Sequence, residues 1–210
     1  LLQSEDIDQT SRRRFLSIIG QEGKRLTNLL NDLLDLSKLA SGKAGWAIGP
    51  IDLRGVLSFA VNLVTPVAAQ KGLILRIAPL SELPPVQGDE ERLRQVMSNL
   101  LNNAIKFTPS GEIVTGAQLD GRDVTVFVRD SGHGIEPEDR EKIFEKFYQV
   151  SGDQSGKPKG TGLGLPICRE IITHLGGKIW CESAPGEGST FFFTLQTRVP
   201  VKKPFRHSNE

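Results

Sequence analysis

Several residue types that often announce chemistry are scarce in this chain of 210 residues. Cysteine occurs twice, methionine once, tyrosine once, tryptophan twice and histidine three times. Cys168 and Cys181 stand at neither metal nor redox spacing and in apolar settings, so they read as free buried thiols of a reducing compartment rather than a disulfide. No apolar run approaches the ~18–20 residues of a membrane span, and no signal-peptide pattern opens the chain. Neither sign of charge dominates: 26 basic and 25 acidic residues leave a net charge of +1. That balance argues against a nucleic-acid-coating protein. These absences point to a soluble, cytoplasmic piece. Apolar residues, at 38%, suffice for a real core. The 22 glycines exceed the usual share of ~7% and are clustered.

Residues 10–41 are helical in pattern. Phe15, Ile19, Leu26, Leu29, Leu33, Leu36 and Ala40 recur at steps of three and four, and Leu30, Leu34 and Leu39 widen the stripe. A seam that wide predicts a helix over 10–41 docked in a helical hairpin or a bundle between chains. It should stop at Ser41-Gly42, where glycine suits a left-handed cap. Residues 42–50 read as a linker running into an edge strand. Beyond it, Asp52 caps a helix over 53–70, a strand follows over 73–78, and Asp89 caps a helix over 90–107. Strands over 112–119 and 123–130 are joined at Asp120-Gly121, a hairpin signal. A short helical stretch over 138–144, a helix over 163–175 and a hairpin pairing 178–183 with 189–198 complete the pattern. Hairpins demand antiparallel pairing, so the fold class is α+β: a two-layer α/β sandwich, helices on one face of a mixed sheet. The expected division is 1–45 for the helical piece, 46–199 for the sandwich and 200–210 for a frayed tail.

Four strings in the sandwich carry chemistry. On the helix over 90–107, Asn99, Asn103 and Lys106 share one flank at steps of four and three. Two amides and an ammonium in a row can hold a hard cation through carbonyl oxygen and neutralise phosphate, although the same row also describes a solvated face. Asp130-Ser-Gly-His-Gly-Ile135 follows a strand; Gly132 and Gly134 allow a tight turn and close ligand approach. Gly160-Thr-Gly-Leu-Gly-Leu165 opens a helix, and successive N–H groups there make an anion nest. It is neither a Walker A loop nor a dinucleotide fingerprint, since no Gly-Lys-Ser/Thr and no parallel βαβ unit accompany it. Gly186-Glu-Gly-Ser-Thr-Phe191 reads equally well as a hairpin turn.

Taken in order, with Ile143-Phe-Glu-Lys-Phe-Tyr148 between the second and third, these strings resemble the catalytic, ATP-binding domain of sensor histidine kinases, a histidine-kinase/gyrase-type ATPase fold. Residues 15–42 resemble the second helix of that family's dimerisation and phosphotransfer hairpin. The resemblance implies ATP and Mg²⁺ as ligands, a homodimer formed through the hairpin, and a response-regulator receiver domain as partner. It makes Asn103 and Lys106 the catalytic pair, with Asn103 on Mg²⁺ and Lys106 on a phosphate. Asn99 is the other box asparagine, and Phe107 lines the nucleotide. Asp130 receives the adenine amino group in a pocket shaped by Gly132 and Gly134, and Ile135 and Thr190 are further ATP-binding residues. Phe144 and Phe147 anchor a mobile lid, and Lys159, Gly160, Thr161, Gly162, Leu163, Gly164 and Leu165 close on the phosphates. Other ATPases of the superfamily fit less well, because no catalytic glutamate stands on the asparagine helix and Gln95 is an amide. A scaffold that lost nucleotide binding fits poorly with intact Asn103, Asp130 and glycine loop.

Two departures from the family pattern matter. Gln149 stands where many relatives have arginine, so a cationic contact there is in doubt; Lys157 or Lys159 could substitute. None of His133, His174 and His207 has the setting of the family's phosphoacceptor, which is expected upstream of residue 1, outside this chain. The resemblance is compatible with a longer, membrane-anchored protein of which this is the cytoplasmic portion.

Overall fold

The computed structural model describes residues 8–150 and 160–197. Lys157, Lys159 and His207 lie outside them. The chain divides into two compact units, Leu1–Ala44 and Gly45–Glu210. In the first, helix α1 (Gln9–Ala40) starts where the Asp8 carboxylate accepts the N–H groups of Thr10 and Ser11, and it ends before Gly42 at φ 68°. Phe15, Ile19, Leu26 and Leu33 of its apolar stripe are exposed within the single chain. None of the described helices is long and apolar enough to cross a membrane.

The second unit is the expected sandwich. Its sheet has the order β2 (Ile74–Ile77), β4 (Glu112–Asp120), β5 (Asp123–Asp130), β7 (Gly188–Gln196), β6 (Ile179–Ala184). Only β2 with β4 is parallel; the remaining neighbours are antiparallel. Helices α2 (Leu53–Gln70), α3 (Glu90–Phe107) and α4 (Gly164–His174) cover one face, with α3 packed against both others. Period-2 burial explains the two-layer form: Val124, Val126 and Val128 of β5 and Phe191, Phe193 and Leu195 of β7 are buried. Against them α3 turns Leu93, Val96, Met97, Leu100, Leu101 and Ala104. Each such side chain contributes about 1.5–3 kcal/mol on burial, enough to override the turn-rich composition of the connections.

Most differences from expectation are local. The hairpin turn sits at Gly121-Arg122, because Asp120 and Asp123 are already paired; Gly121 at φ 62° takes its first central position. The stretch over 138–144 forms two short 3-10 turns, Pro137–Asp139 and Lys142–Phe144, rather than one helix. A strand absent from the sequence reading, β3 (Val86–Gly88), pairs antiparallel with β1 (Gly49–Ile51), the strand at the end of the linker. Three-residue strands carry too little periodicity to read in advance.

Candidate functional site

Helix α3 supplies one wall. Asp89 caps it by accepting Arg92 N–H at 3.1 Å, and the same carboxylate accepts Ala47 N–H at 2.7 Å. Glu90 and Glu91 in the first turn suit the positive end of the helix dipole. With the apolar face committed to the core, Asn99, Asn103 and Lys106 are left half-buried on the opposite flank. Two of these three meet the glycine loop directly. Asn99 Nδ2 donates to the carbonyl of Gly164 at 3.3 Å. Lys106 Nζ lies 2.8 Å from where a Cβ on Gly160 would stand, and 4.4 Å from the centroid of the Phe107 ring. No partner within the described residues engages the Asn103 amide.

The Asp130 turn forms the second wall. Asp130 ends β5 with only 6% exposure, and its carboxylate accepts Gly132 N–H at 2.8 Å and a backbone N–H from Ser189. Burial holds its pKa above the usual 3.8, and the nearby His133 and the two N–H donors only partly offset that. Gly134 has φ 72°, and a Cβ there would collide with the Ala184 carbonyl, so the turn can lie against β6 only with glycine. The next residue, Ile135, fastens the turn by donating its N–H to Ser183 Oγ at 2.8 Å.

The glycine loop closes the third side. Helix α4 begins at Gly164 with no side-chain cap, which leaves its first N–H groups for another acceptor. Leu163 is buried, and its N–H reaches Thr161 Oγ1 at 3.2 Å. Gly162, at φ 73°, accepts Phe147 N–H on its carbonyl at 3.0 Å; a Cβ on it would stand 2.9 Å from the Phe147 backbone.

The two phenylalanines of the expected anchor behave differently. Phe144 is buried edge-to-face on Phe191, at 6.4 Å between centroids. Phe147 is 58% exposed at φ 64°, the single non-glycine positive φ among the described residues, so it meets the loop through its backbone and not its ring. Phe107 is 39% exposed. Across the sheet, Ser189 lies opposite Asp130 and Thr190 opposite Arg129. Ser189 was missed by the sequence reading, though the G-x-G-S spacing held the signal.

His174 stacks on Trp46 at 3.8 Å and 7°, and the Arg92 guanidinium stands 5.7 Å from the same indole. Cys168 and Cys181 are free, and burial pushes both thiols up to about 12, so neither is a thiolate nucleophile at neutral pH. Among the described residues no group of three or more His, Cys, Asp or Glu is assembled. The donor set, one open amide oxygen on Asn103, therefore suits a hard cation that brings oxygen ligands with it better than a resident metal cage.

Residues 88–199 match the model of the histidine kinase-, DNA gyrase B- and HSP90-like ATPase family. The chain is 36% identical over 192 residues to the sensor protein GacS of Pseudomonas syringae pv. syringae, covering 87% of this chain and 21% of that protein. It is 37% identical over 187 residues to the aerobic respiration control sensor protein ArcB of Escherichia coli, covering 88% and 24%. The chain thus spans less than a quarter of the length of these relatives. Among solved structures, full-length ShkA in complex with AMPPNP superposes with a TM-score of 0.78 at 31% identity, covering 95% of this chain and 42% of that one. The catalytic domain of histidine kinase ThkA superposes with 0.63 at 32%, covering 71% of this chain and 97% of that domain. An aspartate-glycine turn, an asparagine helix and an uncapped glycine loop arranged on such a sandwich accord with these matches: the chain belongs to the histidine kinase-, DNA gyrase B- and HSP90-like ATPase family, as a histidine-kinase type of catalytic domain.

Proposed function

We propose that this chain is the catalytic part of a sensor histidine kinase, binding Mg·ATP and passing the γ-phosphoryl group to a histidine of a helical hairpin. An aspartate of a response-regulator receiver domain then takes the group, and the apolar seam of α1 pairs with a second copy in the dimer. The observation that carries this reading is the placement of the α3 flank against the glycine loop, Lys106 beside Gly160 and Asn99 bonded to Gly164, with the Asp130 turn against the end of the same helix.

Each wall has a task in phosphoryl transfer, where positioning and charge neutralisation supply most of the rate. The Asp130 carboxylate accepts from the adenine amino group and selects the base. Lys106 balances phosphate charge, and the N–H groups at the start of α4 take phosphate oxygens. Asn103 presents its amide oxygen to Mg²⁺, which when bound supplies further charge neutralisation on the triphosphate. As the γ-phosphorus forms its bond to imidazole nitrogen, its bond to the bridging β,γ-oxygen breaks and ADP leaves with that electron pair; the imidazole proton goes to solvent or a neighbouring base. His133, beside the adenine reader, and His174, stacked on Trp46, serve other ends than accepting phosphate.

Titration with ATP, with and without Mg²⁺, tests the reading. The parent binds ATP more tightly with Mg²⁺ present, and Asn103→Ala loses that Mg²⁺-dependent gain while its circular dichroism is unchanged. A parent that binds no ATP, or a variant with undiminished Mg²⁺ dependence, counts against it.

A further inference from the structure

Two contacts hold the glycine loop to the segment after Phe144. Phe147 N–H donates to the Gly162 carbonyl at 3.0 Å, and Gln149 Nε2 donates to the Gly160 carbonyl at 3.1 Å. The partners advance by two along one segment while they retreat by two along the other, the pattern of an antiparallel ladder. Its first rung is made by backbone and its second by a side chain. We propose that Gln149 is a positioning residue for the phosphate end of the site, and that its amide sets the orientation of the Gly160–Thr161 peptide.

The argument is geometric. A trans peptide is planar, with its C=O and N–H on opposite sides. Fixing the Gly160 carbonyl on Gln149 therefore turns the Thr161 N–H to the other side of the strand. Glycine at 160 and 162 offers little resistance to peptide rotation, so without the rung this plane samples many orientations. The cost of ordering a glycine loop falls on whatever ligand it receives. The backbone rung cannot do this alone, because it fixes Gly162 and leaves two rotatable peptides before Gly160. It also rests on an aromatic residue at φ 64° whose exposed ring gains little from packing there. Lys106 Nζ stands beside Gly160, so the oriented peptide lies next to the cation assigned to phosphate.

Chemistry distinguishes this role from a direct contact. Gln149 is neutral, and one of its two amide N–H donors is spent on the Gly160 carbonyl. It acts on a nucleotide through the loop, so only ligands that reach the loop should feel it. This inference rests on the nucleotide reading of the site. Gln149→Met keeps length and flexibility and removes the donor.

The experiment is calorimetric titration of the parent and Gln149→Met chains with ATP and with AMP, both with Mg²⁺, together with thermal melts. The expected result is ATP binding weakened about three- to tenfold, the loss due to one hydrogen bond, with AMP binding within about twofold and an unchanged melt. Undiminished ATP binding by the variant overturns the proposal. So does an equal loss of AMP, which would mean that Gln149 supports the pocket as a whole. A parent that binds neither nucleotide refutes instead the reading on which the proposal stands.

Discussion

At the scale of single residues, Asp130 combines a cost in stability with the base-reading role proposed for it. Its carboxylate is desolvated, and its folded pKa lies above the ordinary 3.8. The native state therefore holds the proton more tightly than the unfolded chain does. Asp130 favours folding at low pH, and that contribution is lost as pH rises from about 3.8 through the raised folded value. In the proposed site nucleotide affinity runs the other way, because a charged carboxylate accepts best from an adenine amino group. For Asp130→Asn we expect stability at pH 7 within about 1 kcal/mol of the parent, since a buried charge and at most one backbone bond are lost together. ATP affinity should fall roughly ten- to a hundredfold, with lost preference over GTP, as for a charge-assisted bond of about 1.5–3 kcal/mol. Urea unfolding and titration with both nucleotides measure the two effects. A variant that still prefers ATP as the parent does would remove Asp130 from base selection.

At the scale of elements, the C-terminal end of α3 is held by a contact from the neighbouring helix. Lys71, just after α2, donates its ammonium to the Ile105 carbonyl at 2.6 Å, with Lys106 O at 3.4 Å. A cation is favourable at the negative end of a helix, and it satisfies a carbonyl that the helix itself leaves open. Because the site residues Lys106 and Phe107 form that last turn, the contact steadies them as well as the helix. Lys71→Met should cost about 0.5–1.5 kcal/mol in denaturant unfolding, lessened by high salt because Lys71 is exposed. A loss that salt leaves untouched would make it a packing effect of the side-chain stem. Both helices were legible in sequence because their signals are local: Asp52 caps α2 through Arg54 N–H and Asp89 caps α3 through Arg92 N–H.

At the scale of the molecule, the site can hold and orient a nucleotide, but transfer also requires an acceptor within about 3–3.5 Å and roughly in line. His133 lies in the turn beside Asp130, the adenine end in the proposed arrangement, and His174 is stacked on Trp46. The chain should therefore bind ATP without phosphorylating itself on histidine. Radiolabelled ATP followed by acid and base treatment checks this, since phosphohistidine is acid-labile and base-stable. Strong labelling, lost on replacing one of the chain's own histidines, would identify an acceptor within it. Adding a helix that carries a histidine acceptor should restore transfer.

The sequence by itself determined the helices of the sandwich, the glycine positions and the family to which the ordered strings belong. Period, capping and positive-φ requirements act over a few residues and are written in neighbouring letters. Tertiary structure alone decided which strands meet: the parallel β2–β4 pair, the small β1–β3 sheet, and the register that sets Ser189 rather than Thr190 opposite Asp130. These contacts join segments far apart in the chain, and burial of a shared face selects among pairings that local propensity leaves equal. The same holds for the loop. Two phenylalanines three residues apart look alike in sequence, yet one is buried on Phe191 and the other stands exposed at positive φ against Gly162. Gln149 likewise shows a missing cation in sequence and a bond to Gly160 in space, because a side chain's partner depends on which backbone the fold brings within its reach.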